Sequence, residues 1–576
     1  MNAALLLIGA LPLFFLAYRL YGRVLGRVFG EDPGRKTPAL EQRDGKDFVP
    51  AKPAVLFGHH FASIAGGGPV VGPTVALIFG YGPAWLWIVV GAIFIGGVHD
   101  FSSLFVSIRE KGGSIAEIAG RYLGREGFVL FIAFAIVYIL LVTSAFLQMT
   151  ATALTSLVPA EALGMDGGSG LLKTVMDGGI EKVRIGGIAS TSVIIITAFA
   201  PLLGWLVYRR GARTWLMAAM AVAVCAVSIR AGLAYPLTVG PDTWMVILSV
   251  YVFFACGIPV WIVLQPRDFT NSFILYGGIL LLLAGAAGAG LRGVELAAPA
   301  FDTASGEAAL GAVWPFLFIT IACGAISGFH ALVASGTTSK QITAENHARR
   351  IGYGGMLLEG VLAVCVVTAV ASGISFGTFK SIVFPEVGRS NPILGFAMGM
   401  GGFLHKGLGI NPTYGTVFGI LMVEGFVVTT LDTAVRLNRY LLEGLWKSAF
   451  KTPPALLRSY YFNSLICVVL MLALAKTNAF LAIWPVFGTA NQLLAALTLT
   501  CITVWLKTRR KPYIFTLVPA IFMLATTTAS LVTLLRDKYV PQGNVVLATA
   551  AVLLLGLSAA FILISARVLR RGGELG

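Results

Sequence analysis

Apolar runs of about 20 residues recur along the chain, and short polar stretches separate them. A run of this length lets an α-helix cross the hydrocarbon core of a bilayer, so the pattern predicts an all-α integral membrane protein. We expect about 15 transmembrane helices, at residues 3–22, 54–80, 84–108, 127–157, 187–208, 212–232, 243–264, 271–292, 313–337, 352–376, 409–435, 459–475, 478–506, 513–535 and 544–568.

The connections between these spans are expected to be short. The stretch 377–408 is predicted to be one of the longest loops, and residues 401–412 are predicted to form an external turn. Hydrophobic residues make up 57% of the chain and charged residues 12%, as in proteins with many membrane spans. The six cysteines stand singly in apolar segments, without CxxC spacing, and we expect neither a bound metal nor a cofactor.

The net charge of +16 is distributed unevenly. Most of the 42 Lys and Arg residues fall in alternate loops, which the positive-inside rule assigns to the cytoplasm. This pattern predicts a periplasmic N-terminus and a cytoplasmic C-terminus in the cell inner membrane. The basic loops then face the headgroups of the lipid bilayer, and no soluble domain is left to bind nucleic acid.

The second span is interrupted by polar and helix-breaking residues between Gly58 and Pro73. A glycine run and prolines weaken a helix, and backbone groups freed inside a bilayer need a partner. We therefore predict a discontinuous helix that lines a substrate site, although a kinked structural helix is the alternative. The substrate-binding candidates here are His59, His60, Ser63, Gly66, Gly67 and Gly68.

Two later spans are also interrupted. The span 243–264 carries Cys256 and Gly257 before an Ile-Pro pair, which predicts an unwound segment in contact with substrate or, alternatively, a simple proline kink. The span 313–337 contains His330, a further substrate candidate, and ends in a hydroxyl cluster. Hydroxyl oxygens suit Na⁺ or a carboxylate, although the cluster also fits a polar helix exit. Its ion-coupling candidates are Ser335, Thr337, Thr338, Ser339 and Lys340.

Carboxylates within spans are functional candidates by default. Asp100 follows His99 near the end of a span, where it either couples an ion or pairs structurally with Arg109 or His99. Glu424 lies deeper in the span 409–435 than Asp432 and is therefore the better candidate for a proton carrier of the two. Asp432 is a further ion-coupling candidate, and its spacing predicts a structural pair with Arg436. Glu359 is a lone carboxylate with weaker context.

The order of the interrupted spans suggests an inverted repeat. The spans at 54–80 and 243–264 are first and sixth in line, as in the 5+5 repeat of LeuT-like transporters. On this interpretation 1–53 is an N-terminal helix and loop, 54–232 and 243–435 are the repeats, and 459–576 adds four helices. A 7+7 count is the alternative, because Gly58-x-His60 recurs as Gly328-x-His330 with an offset of 270 residues.

Four motifs occur together in this order: Gly58 to Gly66, Gly96 to Phe101, Ser327 to His330, and Ala490 to Gln492. With them, most of the chain resembles the carbon starvation protein A family. The resemblance implies a bacterial or archaeal inner-membrane transporter, which in relatives is associated with uptake of peptides or of pyruvate during nutrient limitation. Proton coupling is implied as well. The substrate stays open, because members differ.

We therefore expect a secondary active transporter and no enzyme activity. Its partners would be a peptide or a small carboxylate such as pyruvate, a proton or Na⁺, and the lipid bilayer. A channel or a proton-translocating respiratory subunit is the first alternative, but charges in the middle of spans are few. The second alternative is an intramembrane metal enzyme built on His59, His60, His99 and Asp100. The sequence shows neither a nucleophile motif nor HExxH, which counts against a protease.

Overall fold

The computed structural model describes residues 1–44, 48–161, 172–210, 213–259 and 262–570. Within these ranges most of the chain is helical, because apolar spans must satisfy their own backbone hydrogen bonds. The α-helices are α1 (Ala4–Arg19), α2 (Tyr21–Phe29), α3 (Pro38–Glu41), α4 (Pro53–Ile64), α5 (Gly68–Ala76), α6 (Tyr81–Gly91), α7 (Gly97–Arg109), α8 (Ile115–Ala153), α9 (Ile185–Tyr208), α10 (Thr214–Ala234), α11 (Pro241–Ala255), α12 (Leu264–Leu291), α13 (Thr303–Ala309), α14 (Val313–Thr320), α15 (Gly328–Gly336), α16 (Gly354–Gly373), α17 (Phe376–Val383), α18 (Pro392–Leu408), α19 (Pro412–Ala449), α20 (Ala455–Arg458), α21 (Tyr460–Thr477), α22 (Phe480–Thr508), α23 (Ile514–Thr533) and α24 (Val545–Arg570).

Shorter elements connect these helices. A three-stranded antiparallel sheet has the order β1 (Val158–Pro159), β3 (Ile180–Val183), β2 (Thr174–Asp177). The 3-10 helices are Leu77–Phe79 and Thr338–Lys340, and the π-helical turns are Ala92–Gly96, Arg349–Tyr353 and Leu534–Tyr539.

The predicted all-α membrane protein is confirmed. In the part of the chain that the structure describes, 12 helices are long and apolar enough to cross a membrane, and the bent pair α4–α5 makes a thirteenth span. The other two predicted spans are helical but shorter or broken: α11 has 15 residues, and α14 and α15 have 8 and 9.

The ends of the helices meet at two faces. At the first, here called the N face, the Ala3 N–H donates to the carbonyl of Val294 (2.8 Å) and the Tyr81 N–H to that of Pro299 (3.1 Å). At the second, here called the basic face, Arg109 binds Glu345 (2.7 Å).

The predicted loop at 377–408 is wrong, because this stretch holds α17 and the mostly buried α18, and of the predicted turn at 401–412 only residues 409–411 connect two helices. Both ends of α18 lie at the N face. Asn391 before its start donates to Ser156 Oγ (2.6 Å), and Arg292 donates to the carbonyl of Lys406 at its end (3.4 Å). Because both ends lie at this face, the helix adds no crossing, and it packs on α12, α16 and α19. Its many glycines, which read as a loop, allow this close packing.

Two broken helices cross near the centre. The half-helix α4 packs against α15, and α5 packs against α14, so the two broken helices run in opposite directions. The spans that follow them, α6–α7 and α16, each contain a π-helical turn and pack together there, where Tyr353 donates to the carbonyl of Ile93 (3.2 Å). An inverted pair of broken helices is the arrangement of LeuT-like transporters. These two pairs correspond to the 270-residue offset, and the boundaries 54–232 and 243–435 stay a prediction.

Candidate functional site

The first break separates α4 from α5 with a bend of 42°. Its three glycines are required for space, since none of them has a positive φ. A Cβ on Gly66 would lie 2.6 Å from Thr430 Oγ1, and one on Gly67 would lie 2.7 Å from Val427 Cγ2. A Cβ on Gly68 would collide with Cys323 Sγ. The break is thus wedged between α19 and the second broken helix.

The backbone at this break is incompletely paired. The Gly66 N–H turns back to the carbonyl of Ile64 (2.8 Å), and Val70 and Val71 both donate to the carbonyl of Gly67 (3.2 and 2.9 Å). Among the described residues, the N–H groups of Gly67 and Gly68 form no hydrogen bond. Unpaired N–H groups at the positive end of a helix attract a carboxylate. This confirms the predicted discontinuity and leaves two donors at membrane depth.

The second break, between α14 and α15, is closed by two side chains of α22. Gln492 Nε2 donates to the carbonyls of Phe318 (2.6 Å) and Ile321 (3.3 Å), which α14 leaves free at its end. Asn491 Oδ1 accepts from the N–H of Phe329 (3.2 Å) at the start of α15 and from the hydroxyl of Tyr138 (2.9 Å). These side chains bridge the ends of α14 and α15, whereas the N–H groups of Cys323, Gly324 and Ala325 between them form no hydrogen bond among the described residues.

A chain of buried titratable groups starts at the second break. His330 Nδ1 lies 2.7 Å from Asp100 Oδ2, and His330 Nε2 lies 3.2 Å from Glu359 Oε2. Asp100 Oδ1 lies 2.7 Å from His99 Nδ1. All four side chains are fully buried. The chain links α7, α15 and α16, and it brings together the predicted candidates Asp100, His99 and His330.

His60 lies between the two broken helices. Its Nδ1 is 2.8 Å from Thr338 Oγ1, and its Nε2 has no partner among the described groups. His59, one residue earlier, is exposed, and the Ser63 hydroxyl donates to the His59 carbonyl (2.8 Å). Within the predicted set on α4, His60 thus faces α15, whereas His59 and Ser63 lie on the accessible side.

Most hydroxyls of the cluster after α15 bind to the helix backbone. Ser335, Thr337 and Ser339 each donate to a backbone carbonyl four residues earlier. Lys340 lies over the ring of Phe48 at the basic face, 5.7 Å from its centroid. Ser339 binds within the cluster, to the Ser335 carbonyl, and Thr338 contacts the substrate candidate His60.

The end of α11 lies apart from these histidines. Cys256 Sγ donates to Ser464 Oγ (3.2 Å), and a Cβ on Gly257 would collide with Tyr460, so both residues contact α21. The predicted unwinding is present up to Pro259, and residues 260 and 261 lie outside the described ranges. Arg436 donates to the carbonyls of Ala255 (2.8 Å) and Ile258 (2.5 Å), which the end of the helix frees.

The expected pair of Asp432 with Arg436 is wrong, because Arg436 is occupied by these carbonyls. Asp432 instead pairs with Arg267 of α12 (2.8 Å) and accepts from the Tyr251 hydroxyl (3.0 Å). The guanidinium of Arg267 is fully buried and also lies 3.6 Å from Asp268. This cluster is a second group of charges at the α11–α12 connection.

Glu424 is fully buried on α19, and neither of its carboxylate oxygens has a partner among the described side chains. Glu424 lies one helical turn before Val427, whose Cγ2 would be 2.7 Å from a Cβ on Gly67. An ionised carboxylate is costly in such surroundings, which stabilise the neutral acid.

One group of described residues is close enough to coordinate a metal ion. The ligand atoms of Cys323, His330 and Glu359 lie within 4.8 Å of one another. The Cys323 thiol lies 3.6 Å from Ser327 Oγ and would have to lose its proton to bind an ion. The absence of a bound metal stays a prediction.

Sequence reasoning missed several residues of this region. Glu359 was ranked low, although a lone carboxylate in an apolar span is a strong signal. Asn491 and Gln492 were part of a motif without an assigned role, and paired amides inside a span could have indicated a helix clamp. Arg267 received no partner, because sequence spacing suggests pairs only within one helix.

Three comparisons with known proteins bear on this arrangement. A family model described as carbon starvation protein CstA matches residues 2–386 and 378–530. The chain is 32% identical to a peptide transporter CstA of Campylobacter jejuni, over 91% of this chain and 79% of that protein. It is 31% identical to a peptide transporter CstA of Bacillus subtilis, over 94% and 92% of the two chains.

Another relative, the pyruvate/proton symporter BtsT of Escherichia coli, is 31% identical over 92% of this chain and 81% of that protein. Among solved structures, a manganese transporter of Eremococcus coleocola aligns over 91% of this chain and 99% of that chain, with 10% identity and a TM-score of 0.39. The family match spans most of the sequence, including all four motifs around the two breaks. The chain therefore belongs to the carbon starvation protein CstA family.

Proposed function

We propose that the chain is a secondary active transporter that takes up short peptides or a small carboxylate such as pyruvate together with protons. Access would alternate between the two faces around the α4–α5 break. The observation that carries this proposal is the buried chain Asp100–His330–Glu359, which joins three helices beside the two breaks. The names of the relatives, peptide transporter and pyruvate/proton symporter, agree with this class.

The α4–α5 break would bind the carboxylate that peptides and pyruvate share. Among the described residues the N–H groups of Gly67 and Gly68 have no acceptor, and they stand at the positive end of α5. Val427 and Cys323 leave no room for a Cβ at Gly67 and Gly68, so only the backbone of these two residues would reach the substrate. His60, with its unpartnered Nε2, would contribute a further polar contact.

Proton coupling requires only that protonation favours one conformation over another. Asp100 lies on α7, His330 on α15 and Glu359 on α16, so a proton gained or lost within this chain changes how three helices attract one another. Glu424, on the other side of the first break, is a second proton carrier in this proposal. Asp100, His330 and Glu359 are titratable and lie next to one another, which favours the proton as the coupling ion.

The described conformation fits a state that opens to the basic face. On α4 the side chains of His59 and Ser63 are accessible, whereas all of α5 is buried beneath α14, α16 and α18. The excess of Arg and Lys at the basic face identifies it with the cytoplasm under the positive-inside rule. The N-terminus would then be periplasmic and the C-terminus cytoplasmic, in the inner membrane.

Uptake into proteoliposomes with an imposed pH gradient tests this function. The wild type should accumulate labelled dialanine or pyruvate only with the gradient. Glu359→Gln keeps the shape of the side chain but removes its titration, so gradient-driven accumulation should be lost while exchange of substrate at equal pH continues. Glu307→Gln, at an exposed carboxylate of α13, is the matched control and should behave as the wild type. Absence of uptake of both substrates, or normal accumulation by Glu359→Gln, would contradict the proposal.

A further inference from the structure

A polar cavity of about 280 Å³ opens at the N face, away from both breaks. It lies between the end of α8, the connection from α17 to α18, and the junction of α21 with α22. Its lining is unusual for this protein, because it combines two cations with amides and hydroxyls: Gln148, Thr152, Arg389, Ser390, Lys476 and Asn478.

The inner wall of the cavity holds a buried hydrogen-bond acceptor without a donor. Gln148 is 8% exposed, and its Nε2 donates to the carbonyls of Asn478 (2.9 Å) and Ala475 (3.3 Å). These two bonds fix the amide so that Oε1 is the remaining atom, and Oε1 has no partner in the described part of the chain. The hydroxyls of Thr152 and Ser390 donate to backbone carbonyls, so they too offer oxygen acceptors. The side chains of Gln148, Thr152 and Ser390 therefore offer oxygen acceptors, whereas their own donors are already engaged.

The mouth of the cavity carries the opposite character. Arg389 and Lys476 are both exposed. Arg389 is 3.2 Å from Asp242, but both partners of this pair lie at the surface, where an ion pair contributes little and is readily exchanged. Positive donors at the mouth and neutral acceptors at the inner wall fit a ligand with two different ends.

We propose that this cavity binds a short peptide with free termini. Its ammonium group donates to Gln148 Oε1 at the inner wall, and its carboxylate meets Arg389 and Lys476 at the mouth. An extended dipeptide or tripeptide, at about 3.3–3.6 Å per residue, suits a cavity slightly smaller than those for drug-sized ligands. Pyruvate has no ammonium group and leaves Gln148 Oε1 unpaired.

The position of the cavity suggests what such binding does. Met149 follows Gln148 on α8, and its Cε lies 3.4 Å from the place that a Cβ on Gly67 would occupy. One helix thus separates the cavity from the first break, so the cavity is placed to collect peptide before it enters. This role as an entry site rests on the proposed transport function, whereas the binding itself does not.

Equilibrium binding of tritiated dialanine to the full chain in nanodiscs tests the proposal. The measurement uses the Gly67→Ala background, in which the central site should bind substrate roughly tenfold to hundredfold more weakly. Unlabelled dialanine should displace the label, while N-acetyl-dialanine and dialanine amide should compete about tenfold less well, since each lacks one charge-assisted hydrogen bond of about 1.4 kcal/mol. Pyruvate should not compete. Equal competition by pyruvate or by N-acetyl-dialanine would overturn the proposal.

Exposed variants locate this binding without disturbing the fold. Lys476→Gln and Arg389→Gln should each weaken dialanine binding but leave dialanine amide unchanged, because the amide carries no carboxylate for them to meet. Lys380→Gln, at an exposed lysine of α17 outside the cavity, is the matched control. If dialanine binding is insensitive to both mouth variants, the cavity is not its site. Loss of transport with intact binding would instead count against the proposed function alone.

Discussion

The two broken helices share a sequence signal but differ in what completes them. Both place glycine near histidine in an apolar span, and both open their backbone near the centre of the protein. At the α14–α15 break, Asn491 accepts from the Phe329 N–H, and Gln492 donates to the carbonyls of Phe318 and Ile321. At the α4–α5 break, the N–H groups of Gly67 and Gly68 have no partner within the described chain. Side chains of α22 therefore bridge the ends of one broken helix, whereas no described side chain hydrogen-bonds to the backbone between α4 and α5.

This difference changes how a broken span should be interpreted. Freed backbone groups inside a bilayer need partners, but the partner can be a side chain from a distant helix. Asn491 lies 162 residues from Phe329, so no local pattern announces the clamp. A break becomes a candidate binding site when no such clamp exists.

The largest expected effect is on the clamped break. Asn491→Leu removes the acceptor for the Phe329 N–H and the Tyr138 hydroxyl, and each buried group left unpaired costs about 1–3 kcal/mol. We expect the free energy of unfolding to fall by about 3 kcal/mol or more. Thermal unfolding of the purified protein in detergent measures the change.

Asn544→Leu is the control for this substitution, because Asn544 donates to Asn478 in the connection to α24 rather than at a break. Its effect should be smaller. Comparable stability of Asn491→Leu and the wild type would show that the second break does not depend on its clamp.

A smaller effect, on binding rather than folding, is expected at the first break. Gly67→Ala places a Cβ 2.7 Å from Val427 Cγ2, so the two segments must move apart. Overpacking of this kind costs about 1–3 kcal/mol, which corresponds to roughly a tenfold to hundredfold loss of substrate affinity. Concentration-dependent uptake in proteoliposomes checks this value.

Adding Val427→Ala to Gly67→Ala removes the obstructing methyl and should restore most of the affinity. Gly336→Ala, on α15, is the matched control, because a Cβ there meets no atom within 4 Å. Unchanged affinity in Gly67→Ala would contradict the claim that substrate binding needs the close approach of Gly67 and Val427.

The smallest effect is expected at Glu110, at the basic ends of the helices that carry both sites. Burial raises the pKa of the Glu110 carboxyl. Hydrogen bonds from Trp505 and Tyr122 and the charge of Arg509 lower this pKa by more, so the net pKa is below the ordinary value. Its stabilisation is present above the unfolded pKa of about 4.3 and is lost as the pH falls through the folded pKa.

Glu110→Gln should therefore lower stability at pH 7 by about 1 kcal/mol or less, since Arg121 and Arg509 are partly exposed. The difference from the wild type should shrink as the pH drops below about 4, and uptake should not change. Melting temperatures across a pH series test this. A difference that grows at low pH would contradict the stated sign.

Local patterns predicted much of the fold. Span length gave the helices, and the glycines and prolines after Gly58 gave the first break, because both depend on neighbours in sequence. The helix α18 was not predicted, because glycines at this density are typical of a loop in the sequence. Only the structure shows that they allow close packing against α16. Partners across helices were also missed: Asp432 pairs with Arg267, 165 residues away, rather than with Arg436 four residues on. Which candidate residues act in transport stays a prediction.

Hydrogen exchange measured by mass spectrometry, with and without saturating substrate, tests the central claim most directly. Peptides that cover residues 65–71 report the amides of Gly67 and Gly68, and peptides that cover 321–329 report the clamped break. Dialanine or pyruvate should slow exchange in 65–71 and leave 321–329 unchanged. Exchange in 65–71 that does not respond to a substrate the protein transports would contradict the claim that this break binds it.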